Sequence, residues 1–346
     1  MPKIQTVMGE IDASELGFTL PHEHLFLNLS YYWTGPTERI TKRNYYQEPM
    51  TLEMRSEAFY NPWSFKDNTI LDDMDSTLDE VCSFMGYGGK SIVDVTAYGP
   101  MGRCPEDLRY VAGVTGANIV MSSGRYSLPS MDEKEKQKTI DEIEELILYE
   151  FSEGADGTGI KPGLIKLAFA GELDKEPELR TLHAAAKAQK KVGCAINIHP
   201  NIWEKESHQI LDMLEEDGAN LDKVIFSHQD FTGEDPEYHN SLVRRGAYIE
   251  FDTFGCECVA DPQDINVWFR SDGQKIDYVK KQIELGNVEK ILLSGDMCLK
   301  LFFKKWGGWG YSHIPEHILP RMRSSGISEE DIYTMTVLNP ARAFGI

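Results

Sequence analysis

The stretch AINIHPNIWEKESHQILDMLEEDGANLDKVIFSH, residues 195–228, decides the fold. It opens on Ala195-Ile-Asn-Ile-His199 and closes on Val224-Ile-Phe-Ser-His228, two short apolar runs rich in β-branched residues. Between them, Gln209–Glu216 reads as helix. Strands that are almost continuously apolar are buried on both faces, and a strand–helix–strand order makes them parallel neighbours joined by a crossover. Each run ends in a histidine, and the two histidines stand about 30 residues apart, the length of one βα unit.

Working outward, the same unit recurs along the chain. Further strands are predicted at Phe18–His22, Ser91–Thr96, Asn118–Ser122, Leu164–Ala168, Ala247–Asp252 and Ile291–Ser294, giving eight in all. Helices are predicted over Asp132–Tyr149, Glu176–Lys191 and Asp277–Leu285, besides Gln209–Glu216. Eight alternating units without a reversal predict a closed (β/α)₈ TIM barrel spanning 1–346 as one domain. No Gly-x-Gly-x-x-Gly follows the first strand, which argues against a dinucleotide fold. Two connections are too long to be simple links. The first βα loop, Phe26 to about Thr69, carries Tyr31, Tyr32, Trp33, Tyr45, Tyr46, Tyr60 and Trp63. The eighth carries Trp306-Gly-Gly-Trp309-Gly-Tyr311. In a barrel both sit on the catalytic face, and at least one is expected to line the substrate site.

Composition narrows the function classes. A hydrophobic fraction of 41% suffices for a sizeable core. The net charge of −21 repels nucleic acid and anionic membranes, so neither is an expected partner. No apolar run reaches the ~18 residues of a membrane span, and residues 1–10 lack a basic-then-apolar leader. Six scattered cysteines are no disulfide framework and suit a reducing cytoplasm, the expected location.

The chemistry lies where the apolar runs stop. His22 and His24, in Leu20-Pro-His22-Glu-His24, project from one face of a strand. His199, His228 and Asp296 each follow a buried run, Asp296 after Ile291-Leu-Leu-Ser-Gly. Four imidazoles and a carboxylate meeting at one barrel rim are the donors that borderline divalent metals take. Lys166, inside Gly163-Leu-Ile-Lys166-Leu-Ala168, has two readings. An ammonium beside two cations is repelled, whereas a buried neutral amine can add CO₂ and bridge two metals as a carbamate. Composition alone favours a structural role for it.

Together these residues resemble the phosphotriesterase family of the amidohydrolase superfamily. The resemblance runs from Leu16-Gly-Phe-Thr-Leu-Pro-His22-Glu-His24-Leu through Gly124-Arg-Tyr126, Ile165-Lys166, Ser227-His228-Gln-Asp230 and Tyr248-Ile-Glu-Phe-Asp252. It continues to Leu293-Ser-Gly-Asp296-Met-Cys298 and Asn339-Pro-Ala-Arg342. It implies that His22, His24 and Asp296 hold the more buried of two divalent metals, and His199 and His228 the more exposed one. Lys166, as N6-carboxylysine, and a hydroxide would bridge them. Zinc is the first expectation, with manganese, cobalt and iron suited to the same donors. Asp296 would take the proton from the bridging water, and Tyr126 matches a tyrosine that orients the substrate oxygen.

The implied activity is hydrolysis of a small-molecule lactone or carboxylic ester, with an organophosphate triesterase and a non-catalytic ligand-binding barrel as alternatives. A homodimer is the family-level expectation. Acyl-homoserine lactonases of the family commonly place an arginine after the aspartate matching Asp252; here Thr253 stands there, against that assignment.

The other candidates are read as ordinary. His183, His208, His239, His313 and His317 are expected at the surface or in packing, with His313 worth watching in the last long loop. Cys256 and Cys258 are read as free thiols in a loop, and Cys298 as rim packing. Asp94 and Asp252 are expected to make structural hydrogen bonds, with support of the ligands or substrate contact also open.

Overall fold

In a computed structural model, which describes residues 2–36, 45–261, 264 and 266–346, the eight expected strands form one sheet. They are β1 (Thr19–Glu23), β2 (Ser91–Asp94), β3 (Asn118–Arg125), β4 (Leu164–Ala168), β5 (Ala195–His199), β6 (Val224–Phe226), β7 (Tyr248–Phe251) and β8 (Ile291–Leu293). Each pairs in parallel with the next, in chain order. Ser294 closes the ring between β8 and β1: its Oγ accepts from the His22 N–H (3.1 Å) and lies 2.8 Å from the His22 carbonyl oxygen. The result is the (β/α)₈ barrel.

Side-chain alternation sorts the strands into an inner and an outer set. Val93, Val120, Leu164, Ala195, Ile225, Tyr248 and Leu292 form one buried cluster with Ile4, Leu16 and Phe344. This is the barrel's own core, plugged at the N-terminal end by a hairpin (Lys3–Thr6 with Gly9–Asp12) and the last helix (Asn339–Phe344). The larger cluster, with Ile119, Ile165, Ile196, Ile198, Phe226, Ile249, Phe251 and Ile291, faces the surrounding helices. The hairpin was not anticipated, because four-residue strands with little alternation leave a weak pattern.

Helix ends differ from expectation for reasons of capping. The expected helix Asp132–Tyr149 begins only at Ile140: Thr139 and Glu142 form a reciprocal capping box, and turns precede it. The last predicted helix begins at Asp272 rather than Asp277, where Ser271 and Gln274 form another box. Of the first long loop, residues 37–44 and the side chain of Tyr45 lie outside the described residues. The remainder folds over the barrel mouth. Trp33 donates from Nε1 to the Ser64 carbonyl (2.9 Å) and stacks on Tyr46, while Trp63 donates to the Ala260 carbonyl (3.2 Å). The eighth loop mainly buttresses: Trp306 donates to the Met50 carbonyl (2.9 Å) and Tyr311 to the His24 carbonyl (2.7 Å). No helix among the described residues is long and apolar enough to cross a membrane.

Gly124 shows how tightly β3 meets β4. It pairs with Lys166, its φ is +92°, and a Cβ there would lie 2.2 Å from the Lys166 carbonyl oxygen. Gly124→Ala is therefore expected to lower the unfolding free energy by about 1–3 kcal/mol or more, read as a fall in the urea midpoint. An unchanged midpoint would contradict the packing described.

Candidate metal centre

The strand ends deliver the expected side chains to one place. His22, His24, Lys166, His199, His228 and Asp296 all line a single cavity of about 540 Å³ at the C-terminal mouth of the barrel. His24 Nε2 lies 3.4 Å, and His22 Nε2 3.9 Å, from Asp296 Oδ1. The rings of His22 and His228 are 5.1 Å apart, and those of His199 and His228 4.4 Å. His22, His24 and Asp296 have ligand atoms within 4.8 Å of one another, as do His22, His228 and Asp252.

Two of these residues reach the cavity through a left-handed backbone turn. His228 has φ +57° and Asp296 φ +45°; with Asp156 they are the non-glycine residues of positive φ among those described. On β6 strict alternation would turn His228 outward, since Ile225 and Ser227 point in. The left-handed turn swings it back, so Ser227 and His228 both face the site. Asp296 is held by Glu23, the middle residue of the His-Glu-His run. Glu23 is buried and accepts from Ser294 Oγ (2.8 Å), Gly295 N (2.8 Å) and Met297 N (2.9 Å), clasping the turn on both sides of Asp296.

Hydrogen bonds select one nitrogen of the His22, His24 and His228 imidazoles. Thr96 Oγ1 donates to the Phe26 carbonyl (3.1 Å), so it accepts from His24 Nδ1 (2.8 Å) and leaves Nε2 facing Asp296. His22 Nδ1 donates to Glu250 Oε2 (2.8 Å) and lies 3.0 Å from Asp252. His228 Nδ1 donates to Asp252 Oδ1 (2.9 Å). Asp252 thus spans two imidazoles, and His22–His228–Asp252 is a set of orienting hydrogen bonds at the Nδ1 side. Tyr126 Oη is 3.1 Å from His199 Nδ1. Lys166 donates from Nζ to Asn197 Oδ1 (2.5 Å), with Ser227 Oγ at 3.5 Å.

Electrostatics follow from burial. Burial drives His24 down to about 4 and His199 well below the usual imidazole value. His22 departs from this: burial and Lys166 oppose its proton, but Asp252 and Glu250 outweigh them and raise it to about 10. Burial brings Lys166 down to about 8, against the pull of Glu250, Asp252 and Asp296. Asp296 is held below the usual carboxylate range because His24 and the other imidazoles outweigh its burial. The buried Oδ1 of Asp296 has no hydrogen-bond partner. An acceptor facing two imidazole nitrogens, itself unsatisfied, fits a cation among them, and these donor types suit a borderline divalent metal.

The discounted residues lie elsewhere. His183 meets Asp217, His208 meets Ser241 and His239 meets Thr232. His313 is buried against Asp272 (2.7 Å) under Trp309, with His317 beside it. All six cysteines are free; Cys256 and Cys258 are buried, and Cys298 lines the cavity. Asp94 accepts from the Leu25 and Thr96 amides, a structural bond. Sequence reasoning left out Glu23, Thr96, Asn197, Ser227 and Glu250. Two of them carried a usable signal: Asn197 and Glu250 stand two residues before His199 and Asp252, on the same strand face. Of the first loop's aromatics, Tyr32 and Trp63 line the cavity, joined by Phe169, Trp203, Phe231 and Phe269 from other loops.

Comparison with known proteins agrees with this architecture. The profile of the phosphotriesterase family matches residues 2–344. An N-acetyltaurine hydrolase of Xenopus tropicalis is 33% identical over 340 residues, covering 98% of this chain and 96% of that one. The human N-acetyltaurine hydrolase is 31% identical over 342 residues, 98% of this chain and 96% of its own. Among solved structures, a resiniferatoxin-binding protein from Rhodobacter sphaeroides superposes with a TM-score of 0.94 at 35% identity, covering 99% of this chain and 95% of that one. A mutant phosphotriesterase-like lactonase of Deinococcus radiodurans gives 0.77 at 28% identity, over 99% of this chain and all of that one. The chain belongs to the phosphotriesterase family, and is a hydrolase of that family.

Glu23→Gln preserves the shape of the clasp but sets an amide N–H against a backbone N–H. Its expected cost is about 1–3 kcal/mol of stability, together with a lower metal content, checked by urea unfolding and elemental analysis. Wild-type values in both would show that Glu23 does not hold the Asp296 turn.

Proposed function

We propose that this chain hydrolyses a bulky, uncharged carboxylic ester or lactone with the aid of two divalent cations. The observation that carries the reading is the convergence of six ligand-type side chains on the floor of a cavity walled by Tyr32, Trp63, Phe169, Trp203, Phe231 and Phe269. His22, His24 and Asp296 would hold one ion, and His199 and His228 the other. Lys166 would join them as a carbamate, formed when Nζ bonds the carbon of CO₂ and releases a proton. The lowered affinity of Lys166 for its proton favours that amine chemistry. When bound, such ions polarise a carbonyl oxygen and acidify the attacking water. Asp296, ionised and with a free oxygen, is the proton acceptor. Tyr126, whose Oη lies 3.1 Å from His199 Nδ1, would orient the substrate oxygen, and the aromatic walls would exclude water and bind the apolar part.

A second reading is amide hydrolysis, favoured by the whole-length match to N-acetyltaurine hydrolases. The same attack serves esters and amides. N-acetyltaurine, however, carries a sulfonate, and the described lining has no arginine and no lysine besides Lys166. That lining favours a neutral substrate. The nearly complete overlap with a resiniferatoxin-binding protein is compatible with a large apolar ligand.

Two experiments test the reading. A panel of kcat/KM values on lactones, aryl esters, N-acetyltaurine and an aryl phosphotriester, with metal-replete protein, is expected to rank neutral esters or lactones first. A clear preference for N-acetyltaurine or the phosphotriester overturns the substrate class, and less than about one metal per chain favours a binding protein instead. Lys166→Ala is expected to lose metal and activity together, with partial recovery of both in formate or acetate. Retention of both by the variant would remove the carbamate.

A further inference from the structure

One layer below the rim ligands, the barrel interior holds a polar chain in place of the aliphatic packing found beneath it. Glu250, on β7, is fully buried. Its Oε2 accepts from His22 Nδ1 on β1 (2.8 Å) and from Asn197 Nδ2 on β5 (3.0 Å). The Oδ1 of Asn197 in turn accepts from Lys166 Nζ on β4 (2.5 Å) and from Ser227 Oγ (2.9 Å). Lys166 and Asn197 are register partners, so their side chains leave the sheet on the same face. Glu250 therefore lies between a ligand of one metal position and the lysine that would bridge both. The layer below is Val93, Val120, Leu164, Ala195, Ile225 and Leu292. A carboxylate at that depth is costly, and one of its oxygens, Oε1, goes without a partner. Filling space does not account for it.

We propose that Glu250 is a positioning residue that fixes His22 directly and Lys166 through Asn197, so that one carboxylate aligns the ligands of both metal ions. The argument turns on the two ends of the Asn197 amide. Its NH₂ donates to Glu250, and this forces its oxygen toward Lys166. An oxygen there accepts an N–H of Lys166, which directs the remaining valence of that nitrogen away from Asn197, where CO₂ can add. The nitrogen of a carbamate keeps one N–H, so the same bond then sets the plane of the carbamate. Without an acceptor at 250, the amide is free to turn and to present N–H to the lysine, where it would tie up the amine lone pair needed to attack CO₂ and oppose the N–H of the carbamate. At the other end, the bond to His22 Nδ1, the shorter of its two carboxylate contacts beside Asp252 at 3.0 Å, helps keep the proton on that nitrogen and leaves Nε2 toward Asp296. The inference rests on the two-metal reading proposed above, and the test separates the two.

The test compares wild type, E250Q, E250L and N197L, each stripped of metal and titrated with Zn²⁺ against a chelator. Thermal melting of the metal-free form and the ¹³C resonance of a lysine carbamate after equilibration with ¹³C-bicarbonate are also recorded. Wild type is expected to take two ions and show the resonance. E250L and N197L are expected to bind both ions about 10–100-fold more weakly and to lose the resonance, with E250Q between them and wild type. An E250L/N197L double variant is expected to be no worse than either single one, because both break the same chain of bonds. A merely structural Glu250 would move the metal-free melting temperature and leave Zn²⁺ affinity and the resonance alone; that result overturns the inference. If E250L does not fold, N197L decides, and wild-type affinity with an intact resonance in it is equally fatal. A wild-type chain that takes up no ions and shows no resonance instead sinks the two-metal reading itself.

Discussion

Four imidazoles, an amine and the carboxylates of Glu23, Glu250, Asp252 and Asp296 share one water-poor barrel mouth, and none of them is tolerable there alone. A single buried charge pays a large desolvation cost, which only a nearby opposite charge or several hydrogen bonds can offset. The shifts in proton affinity show this mutual dependence. Burial, with help from Lys166 and the neighbouring imidazoles, lowers the proton affinity of His24 and His199, whereas two carboxylates raise that of His22 to about 10. Lys166 is drawn down to about 8 by burial while the same carboxylates pull the other way. A site balanced in this manner leaves an unsatisfied Asp296 oxygen facing imidazole nitrogens, which a divalent cation is suited to meet.

The barrel makes such a collection possible because its strands end together. Each βα unit contributes one or two polar residues at the same rim, while the apolar layers below keep the strands in register. Regular strand geometry is not enough, however. The turns at His228 and Asp296 are left-handed, and both are tied down by acceptors from distant segments: Asp252 takes the His228 amide, and Glu23 takes the amides around Asp296. The long first and eighth loops divide the remaining work. The first supplies Tyr32 and Trp63 to the cavity wall, and the eighth braces the floor through Tyr311 and the His24 carbonyl.

Within a family that includes proteins named for quite different ligands, the described lining of this cavity is aromatic and lacks arginine. Under the proposed reading, that feature would bear on the apolar part of a substrate, and the side chains on the floor on the bond that is broken. The two are built from different segments: ligands from strand ends, walls from loops. Walls can therefore change without disturbing the chemistry below, which accords with the range of names among the relatives.

The sequence by itself determined the barrel and the location of its polar rim. Near-continuous apolar runs such as Ala195–Ile198 and Ile291–Leu293 are driven inward by the hydrophobic effect whatever their surroundings, and a histidine or aspartate at the end of each is visible by position alone. Only the tertiary structure decided the rest. It showed that the His228 turn defeats strand alternation, that the helix expected from Asp132 waits until the Thr139 cap, and that Glu250 reaches His22 and Asn197, each two strands away around the barrel. Those outcomes depend on side chains that are remote along the chain and meet only when the sheet closes, a contact that no local pattern of residues records.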